Sequence, residues 1–359
     1  MTDTPFVSVI ILNYNGEKYL SNCLNSVLKN HYKNYEVVLV DNASTDASMA
    51  EAERVFGGDP RLRIIRNSAN LGFSGGNNVG YKQSKGEYLV FLNNDTVVDE
   101  YWLSELVNAM QSDPSIGLAQ SKILNMHNEQ IQIGGWVFSN YLVRKHPLGQ
   151  NKTSSLKFQS VFEVSVASGA SMIAPRELID EVGLFDERIP FFYDDTLLSF
   201  KVWLANRRVV TVENSKIRHI LGASAAWNVE NTTFNLQRAK TCLLFDVYYH
   251  PGELAKASFV NAIYSLVNTL YALRNHNLGV IRANIHSFTW TLRNMRFLWQ
   301  NRIAHWSKTK VSPDALKEKF VRIHLPTALY LFSSKLSDNS FLFAVGDYEK
   351  AVSADRESD

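Results

Sequence analysis

The sequence predicts an α/β protein, a mostly parallel sheet flanked by helices, with a helical extension at its C-terminal end. Three observations predict it. Short, continuously apolar β-branched runs recur through the first part of the chain, and stretches with apolar residues at helical spacing separate them. Past about residue 250 the composition turns basic and helical. Continuous apolar strands divided by amphipathic helices mark a Rossmann-like sheet covered on both faces, because a sheet with one wet face would alternate apolar and polar.

The first run is Val7 to Leu12, followed by polar Asn13-Tyr14-Asn15-Gly16. Tyr19, Leu20, Leu24, Val27 and Leu28 recur at helical spacing, and Tyr35 to Val40 gives a second strand ending at Asp41. Leu62 to Ile65 is a third, and Tyr88 to Leu92 a fourth, ending at Asn93-Asn94-Asp95. In open α/β sheets the ligand crevice lies beyond the carboxyl ends of the strands. The polar clusters that follow these strands are therefore expected to converge on one cleft.

With 359 residues, 45% of them hydrophobic, the chain can bury a large core and still carry an appendage. A formal net charge of +2 argues against a nucleic-acid partner. Cys23 and Cys242 form no CxxC pair, which fits a reducing compartment, and the N-terminal residues lack the pattern of a signal peptide. A cytoplasmic location is the expectation.

Between Glu253 and Asp314 there is no acidic residue, while eight basic ones occur: Lys256, Arg274, Arg282, Arg293, Arg296, Arg302, Lys308 and Lys310. Ser258 to Leu273 is uncharged but short for a bilayer span, and it carries Asn261 and Asn268. Ile281, Ile285, Phe288, Leu292, Met295 and Trp299 step along one face of an expected single helix, with Trp290 nearby. A basic helix with such a face can lie in a membrane interface, here an anionic surface on the inner face of the cell membrane. Packing against the rest of the protein is the alternative.

Four polar constellations carry candidate chemistry. Asp41 can accept a hydrogen bond from a base N–H or a ribose hydroxyl. It can also cap the next helix, a role that Ser44 or Asp46 fits better. In Asn70-Leu71-Gly72-Phe73-Ser74-Gly75-Gly76-Asn77-Asn78-Val79-Gly80, glycines would let a ligand approach the backbone, with free N–H groups at the helix start behind them. A turn with a cap is the plainer alternative. Asp95 offers a hard carboxylate for Mn²⁺ or Mg²⁺, and His219, in Arg218-His219-Ile220-Leu221-Gly222-Ala223-Ser224, is the candidate for a further ligand. Asp194 and Asp195 follow Phe191-Phe192-Tyr193, where desolvation and mutual repulsion would raise one pKa toward the range of a general base. A plain acidic helix N-terminus would explain the same pair.

Taken in order, these segments resemble the family 2 glycosyltransferases of GT-A type fold, closest to the rhamnosyltransferase-like branch. The resemblance runs from Val7 to about Ser224, with weaker echoes to Lys319. Its marks are the first strand with Asn13-Tyr14-Asn15, Val40-Asp41-Asn42-Ala43-Ser44-Thr45-Asp46, the glycine-rich run and Leu92-Asn93-Asn94-Asp95-Thr96. Gly169-Ala170-Ser171, Gly183-Leu184-Phe185-Asp186-Glu187, Asp194-Asp195 and His219 complete the series.

The resemblance implies a division into a nucleotide-sugar glycosyltransferase domain, residues 1–245, and a basic amphipathic helical extension, residues 246–359. It implies that Asp41 reads the base with Asn13, Tyr14 and Asn15, and that Asn77 and Asn94 lie with the nucleotide. Asp95 stands where the family's Asp-x-Asp motif has its last acid and would bind Mn²⁺ or Mg²⁺, with His219 as a further metal or diphosphate ligand. Asp195 matches the acid of the Glu-Asp motif and would be the base, and Asp194 could share that role. Asn93 replaces the first acid of Asp-x-Asp, as is usual in this branch. The implied reaction is inverting transfer of a hexosyl or deoxyhexosyl group from a UDP- or dTDP-linked donor to a glycan or lipid-linked acceptor, as in polysaccharide biosynthesis.

Two other classes were weighed. A dinucleotide-dependent oxidoreductase would need glycines after the first strand, where the chain has Asn13-Tyr14-Asn15-Gly16. A catalytically silent scaffold would not need Asp41, Asp95, Asp194, Asp195 and His219 together.

Overall fold

The computed structural model describes residues 4–139, 144–189, 191–220, 229–323, 349 and 352–353. Strands β1 (Val7–Asn13), β2 (Tyr35–Asp41), β3 (Leu62–Arg66) and β4 (Tyr88–Asn93) alternate with helices α1 (Leu20–Leu28), α2 (Ser48–Phe56) and α3 (Gly72–Gln83). β1 lies between β2 and β4 and parallel to both, and β3 continues the parallel set beyond β2. Each strand runs one residue past its apolar run, so Asn13, Asp41, Arg66 and Asn93 are themselves strand residues.

The sheet is covered on both faces, as its sequence requires. Ile10, Val38, Val40, Leu89 and Phe91 enter one core, while Val9, Ile11, Val37, Leu39, Val90 and Leu92 enter the other. Successive strand residues point to opposite faces, so an unbroken apolar run feeds two cores at once.

The middle of the chain adds β5 (Thr96–Val98), α4 (Trp102–Ser112), β6 (Ile116–Asn125), β7 (Ile131–Ile133), β8 (Trp136–Ser139), β9 (Arg144–Pro147), β10 (Val161–Glu163) and β11 (Ser171–Pro175). Then come α5 (Arg176–Val182), α6 (Asp194–Leu204) and β12 (Arg208–His219). β11 joins β4 to β6 antiparallel to both, and β12 lies parallel to β6, giving the order β10-β12-β6-β11-β4-β1-β2-β3. The result is an α/β fold with a mostly parallel sheet between helices.

Helices α7 (Val229–Val247), α8 (Pro251–Arg274), α9 (Leu278–Arg293), α10 (Met295–Trp306) and α11 (Pro313–Phe320) follow, and β13 (Val321–Ile323) pairs with β8. The expected division at 245/246 falls inside α7. Leu298, Trp306, Leu316 and Phe320 share a core with β1 and β4, so α10 and α11 are packed against the sheet domain.

The expected single helix through 281–299 is two helices. Asn294 caps α9, its N–H donating to the Trp290 and Thr291 carbonyls at 3.0 and 3.2 Å, and α10 starts at the next residue. Three of the eight basic residues are engaged within the protein, Arg282 with Glu230 at 4.0 Å among them. Arg302 is buried and donates to the carbonyls of Phe245, Tyr248 and Tyr249, and Lys310 pairs with Glu181 at 2.5 Å. No helix among the described residues is long and apolar enough to cross a membrane.

Candidate active site

The strand register brings the polar clusters to one level. Asn13 is paired with Asp41 across β1 and β2, and Leu12 with Asn93 across β1 and β4. Parallel pairing with matched ends forces the loops after these strands to leave the sheet side by side.

The first loops brace each other. Asn13 is fully buried. Its Nδ2 donates to Ser44 Oγ and Ser48 Oγ at 3.1 and 3.0 Å, and its Oδ1 accepts from Asn94 Nδ2 at 2.7 Å. A Cβ on Gly16 would sit 2.2 Å from Asn13 Oδ1, so only glycine fits beside this bond. Asn15, with φ of 50°, accepts from the Thr45 N–H at 2.8 Å. The side chains of Asn13, Asn15 and Asn94 thus hold the loops in place, while Tyr14 is left exposed.

Asp41 is 3% exposed. Its Oδ1 accepts the Ser44 N–H at 3.0 Å and its Oδ2 lies 3.6 Å from Arg66. At the start of α2 the N-cap position is Ala47, and the preceding Asp46 accepts from the Ser48 N–H at 3.1 Å. Asp41 is therefore not the cap of α2. Asn77 is buried and donates to the Phe73 carbonyl in its own helix at 2.9 Å.

The glycine-rich run corrects its sequence reading. From Gly72 onward it is not a turn ahead of a helix but the body of α3; the N-cap Leu71 donates its N–H to Asn42 Oδ1, and Gly72 donates to Asn70 Oδ1. A Cβ on Gly76 would lie 2.3 Å from Leu12 Cδ1, and one on Gly80 2.5 Å from Ile10 Cγ2. These glycines let α3 press onto the sheet.

Asp95 and His219 meet, although 124 residues of chain separate them (219 − 95 = 124). β12 pairs with β5 in a register that sets His219 against Thr96, and His219 Nε2 comes 3.3 Å from Asp95 Oδ1. The other ring nitrogen, Nδ1, lies 2.7 Å from Gln132 Oε1. A carbonyl oxygen only accepts, so Nδ1 is the donor to Gln132, and Nε2 is the ring nitrogen turned toward Asp95. Asp95 is 4% exposed, and its Oδ1 has no hydrogen-bond partner among the described residues. A buried carboxylate oxygen beside an imidazole nitrogen is a donor set suited to Mn²⁺. Among the described residues no group of three or more His, Cys, Asp or Glu could hold a metal, so water and phosphate oxygens would have to complete the shell.

The acidic pair opens α6. Tyr193 just before it takes a left-handed φ of 56°. Asp195 is buried, and both its carboxylate oxygens accept from Lys145 Nζ at 2.8 Å. The Gly169 N–H lies 3.4 Å from Asp195 Oδ2, and the Ala170 carbonyl accepts from the Asn93 N–H at 3.1 Å. Asp195 is thereby tied to the loop that carries Asp95. Asp194 has its carboxyl pushed up to about 7, chiefly by burial and next by the Asp195 charge.

The sequence reading missed Lys145, Gln132 and Arg66. Arg66 ends a strand, the same signal that picked out Asp41. Gln132 breaks the apolar run Ile131–Ile133, and Lys145 carries no comparable mark. Leu221 to Ser224, the tail of the His219 segment, lies outside the described residues.

The chain is similar to known proteins in sequence and in fold. Residues 8–181 match the sequence model described as "Glycosyl transferase family 2". The chain is 24% identical over 216 residues to an uncharacterized glycosyltransferase of Haemophilus influenzae, covering 60% of this chain and 64% of that one. It is 30% identical over 228 residues to the O-antigen biosynthesis protein RfbC of Myxococcus xanthus, covering 62% of this chain but 18% of that one. The match thus spans less than two thirds of these relatives. Among solved structures, that of GalNAc-T7 with UDP, GalNAc and Mn²⁺ superposes with a TM-score of 0.58 at 18% identity, over 85% of this chain and 59% of that one. At that identity the likeness speaks for the fold, which is of GT-A type.

Proposed function

We propose, on the premise that residues 8–181 form a family 2 glycosyltransferase domain, that the chain moves a hexosyl or deoxyhexosyl group from a UDP- or dTDP-linked donor to a hydroxyl of a glycan or lipid-linked acceptor, inverting the anomeric carbon. The observation that carries this reading is the pairing of Asp95 with His219 beyond the strand ends, with a carboxylate oxygen left unpartnered.

Asp95 and His219 would hold Mn²⁺ or Mg²⁺, and Gln132 would fix the histidine tautomer. When bound, the ion neutralises the charge that develops on the diphosphate leaving group. Asp41 and Tyr14 flank the space for the base and ribose, with Asn13, Asn15 and Asn94 keeping the loops in register and Asn77 behind them on α3. In a single displacement the acceptor hydroxyl gives its proton to Asp195 as its oxygen bonds the anomeric carbon. The bond from that carbon to the phosphate oxygen breaks, and its electron pair leaves with the nucleoside diphosphate. Lys145 orients Asp195 before the acceptor arrives, and Asp194 is the second candidate for the proton. Holding donor and acceptor in line supplies much of the rate. The relative from Myxococcus xanthus favours polysaccharide biosynthesis as the setting, and the exposed apolar faces of α8 and α9 favour peripheral attachment to the inner face of the cell membrane.

The test is thermal stabilisation by UDP, dTDP and GDP, each with Mn²⁺, with Mg²⁺ and with chelator. A metal-dependent rise with one of the diphosphates is expected, and Asp95→Ala should abolish it. A nucleotide response that ignores both metal and Asp95→Ala would remove the metal role.

A further inference from the structure

A second cavity, of about 520 Å³, lies among α7, α8 and α9, away from the Asp95–His219 pair. Its walls include Tyr193, Lys240, Tyr264, Asn268, Asn275 and Asn284. Small-molecule pockets of this volume are ordinarily apolar with a few polar groups. This one has that character: Leu236, Ala272 and Val280 line it beside the tyrosines and asparagines, and Lys240 brings a charge. Each asparagine offers both a donor and an acceptor, which is the complement of a sugar hydroxyl. Lys240 stands 4.9 Å from the centre of the Tyr264 ring, so that ring is fixed as a wall.

Two further observations point to a ligand. Asn284 is 7% exposed, yet its Oδ1 has no hydrogen-bond partner among the described residues, while its Nδ2 donates to Thr269 Oγ1 at 2.9 Å. An unpaired buried carbonyl is costly, and a hydroxyl reaching the cavity wall would satisfy it. Tyr193, for its part, belongs to both sites. It lines the cavity, it immediately precedes Asp194 and Asp195, and its ring lies 5.9 Å from the Lys145 ammonium that holds Asp195. A molecule lying in the cavity would end against the acidic pair.

We infer that this cavity is the acceptor subsite, built to hold a polyhydroxylated glycan chain whose terminal hydroxyl is presented past Tyr193 to the acidic pair. The inference rests on the transfer reaction proposed above. It adds where the acceptor lies and what recognises it: amides from α8 and α9 and tyrosine rings, with no contribution from the sheet domain beyond Tyr193.

The experiment uses the full chain, fluorescently labelled, on an array of immobilised oligosaccharides, beside thermal stabilisation by UDP or dTDP with Mn²⁺. Asn268 on α8 and Gln237 on α7 both line the cavity, so Asn268→Trp and Gln237→Trp each place an indole in it. The wild type should capture a subset of oligosaccharides, and both variants should capture them at least tenfold more weakly with nucleotide stabilisation unmoved. Capture that survives both tryptophans overturns the inference, as does a wild type that responds to nucleotide but captures nothing. Loss of nucleotide stabilisation in the wild type would instead strike the donor reading, and capture lost in the variants would still assign the cavity as a glycan site.

Discussion

The strand-end half of the molecule and the α8–α9 pair treat apolar side chains in opposite ways. In β1, β2 and β4 the apolar residues fill cores on both faces, and polar groups stand only at the strand ends, Ser8 and Glu36 at one and Asn13, Asp41 and Asn93 at the other. In α9 the buried positions are Ala283, Asn284 and Ser287, while Ile285, Phe288 and Leu292 are more than half exposed. Burying a large apolar side chain is worth roughly 1.5–3 kcal/mol, so a helix bathed only in water would turn the other way. The contrast teaches that the two regions answer to different surroundings. The first gathers its polar side chains at the strand ends. The second turns small and amide side chains inward and large apolar ones outward, and exposed apolar side chains gathered on one face mark an interaction surface.

The largest effect should come from the acidic pair. Asp195→Asn is expected to lower kcat by about 10²–10⁴-fold with nucleotide stabilisation intact, as loss of a general base does. Asp194→Asn should cost less, and the reverse ranking would move the base to Asp194. The two differ also in stability. Burial and the Asp195 charge lift the Asp194 carboxyl from 3.8 to about 7, so the folded state keeps a proton that the unfolded chain releases within that interval. Stability contributed by the neutral acid is full below the lower value and is lost as pH rises through the window. Asp194→Asn should therefore gain in Tm over wild type between pH 4 and pH 8. A Tm difference that stays flat with pH would show the carboxyl to be ordinary.

How far the sequence could be read follows from the range of the signal. Strand ends are local: an apolar run that stops at Asp41 or Asn93 marks the cleft by itself, and the register then aligns the ends. The glycines of α3 were legible as close-approach positions but not as to what approaches, which is Leu12 and Ile10 of β1 rather than a ligand. Contacts made across the fold leave no local trace. Lys145 reaches Asp195 over 50 residues, and Gln132 reaches His219 over 87. The apolar stripe through 281–299 looked continuous because hydrophobic spacing does not register a cap, and Asn294 supplies one.

An intermediate effect sharpens the strand-end side of the comparison. Gln132→Leu removes the partner that fixes the His219 tautomer while leaving Asp95 and His219 in place. Outer partners of metal ligands are typically worth about 10–100-fold in metal affinity. Titration of nucleotide stabilisation with Mn²⁺ should show a midpoint shifted by that factor with the same plateau. An unshifted midpoint would make the Gln132–His219 bond a packing contact.

The smallest free-energy effect belongs to the outward face, and it tests the other side. Phe259, Leu266, Leu270, Leu278, Ile285, Phe288 and Leu292 are each more than half exposed, and Arg274, Arg282, Arg293 and Arg296 are exposed near them. With Arg302 and Lys310 committed elsewhere and Arg282 beside Glu230, the basic contribution is smaller than eight charges would give. Each remaining charge near an anionic surface contributes on the order of 1 kcal/mol and falls off within a Debye length. Liposome co-sedimentation of the full chain should therefore show binding to anionic vesicles that weakens as salt rises, and little binding to neutral ones. Phe288→Ser with Leu292→Ser should reduce binding at every salt concentration yet change stability by only about 0.5 kcal/mol, because those side chains already face outward. Arg293→Gln with Arg296→Gln should instead flatten the salt dependence. Equal binding to both lipids, or none to either, would leave the inverted face to a protein neighbour. Loss of stability in the serine pair would mean that the two side chains are buried in solution and that the contrast between the two regions is weaker than the structure makes it.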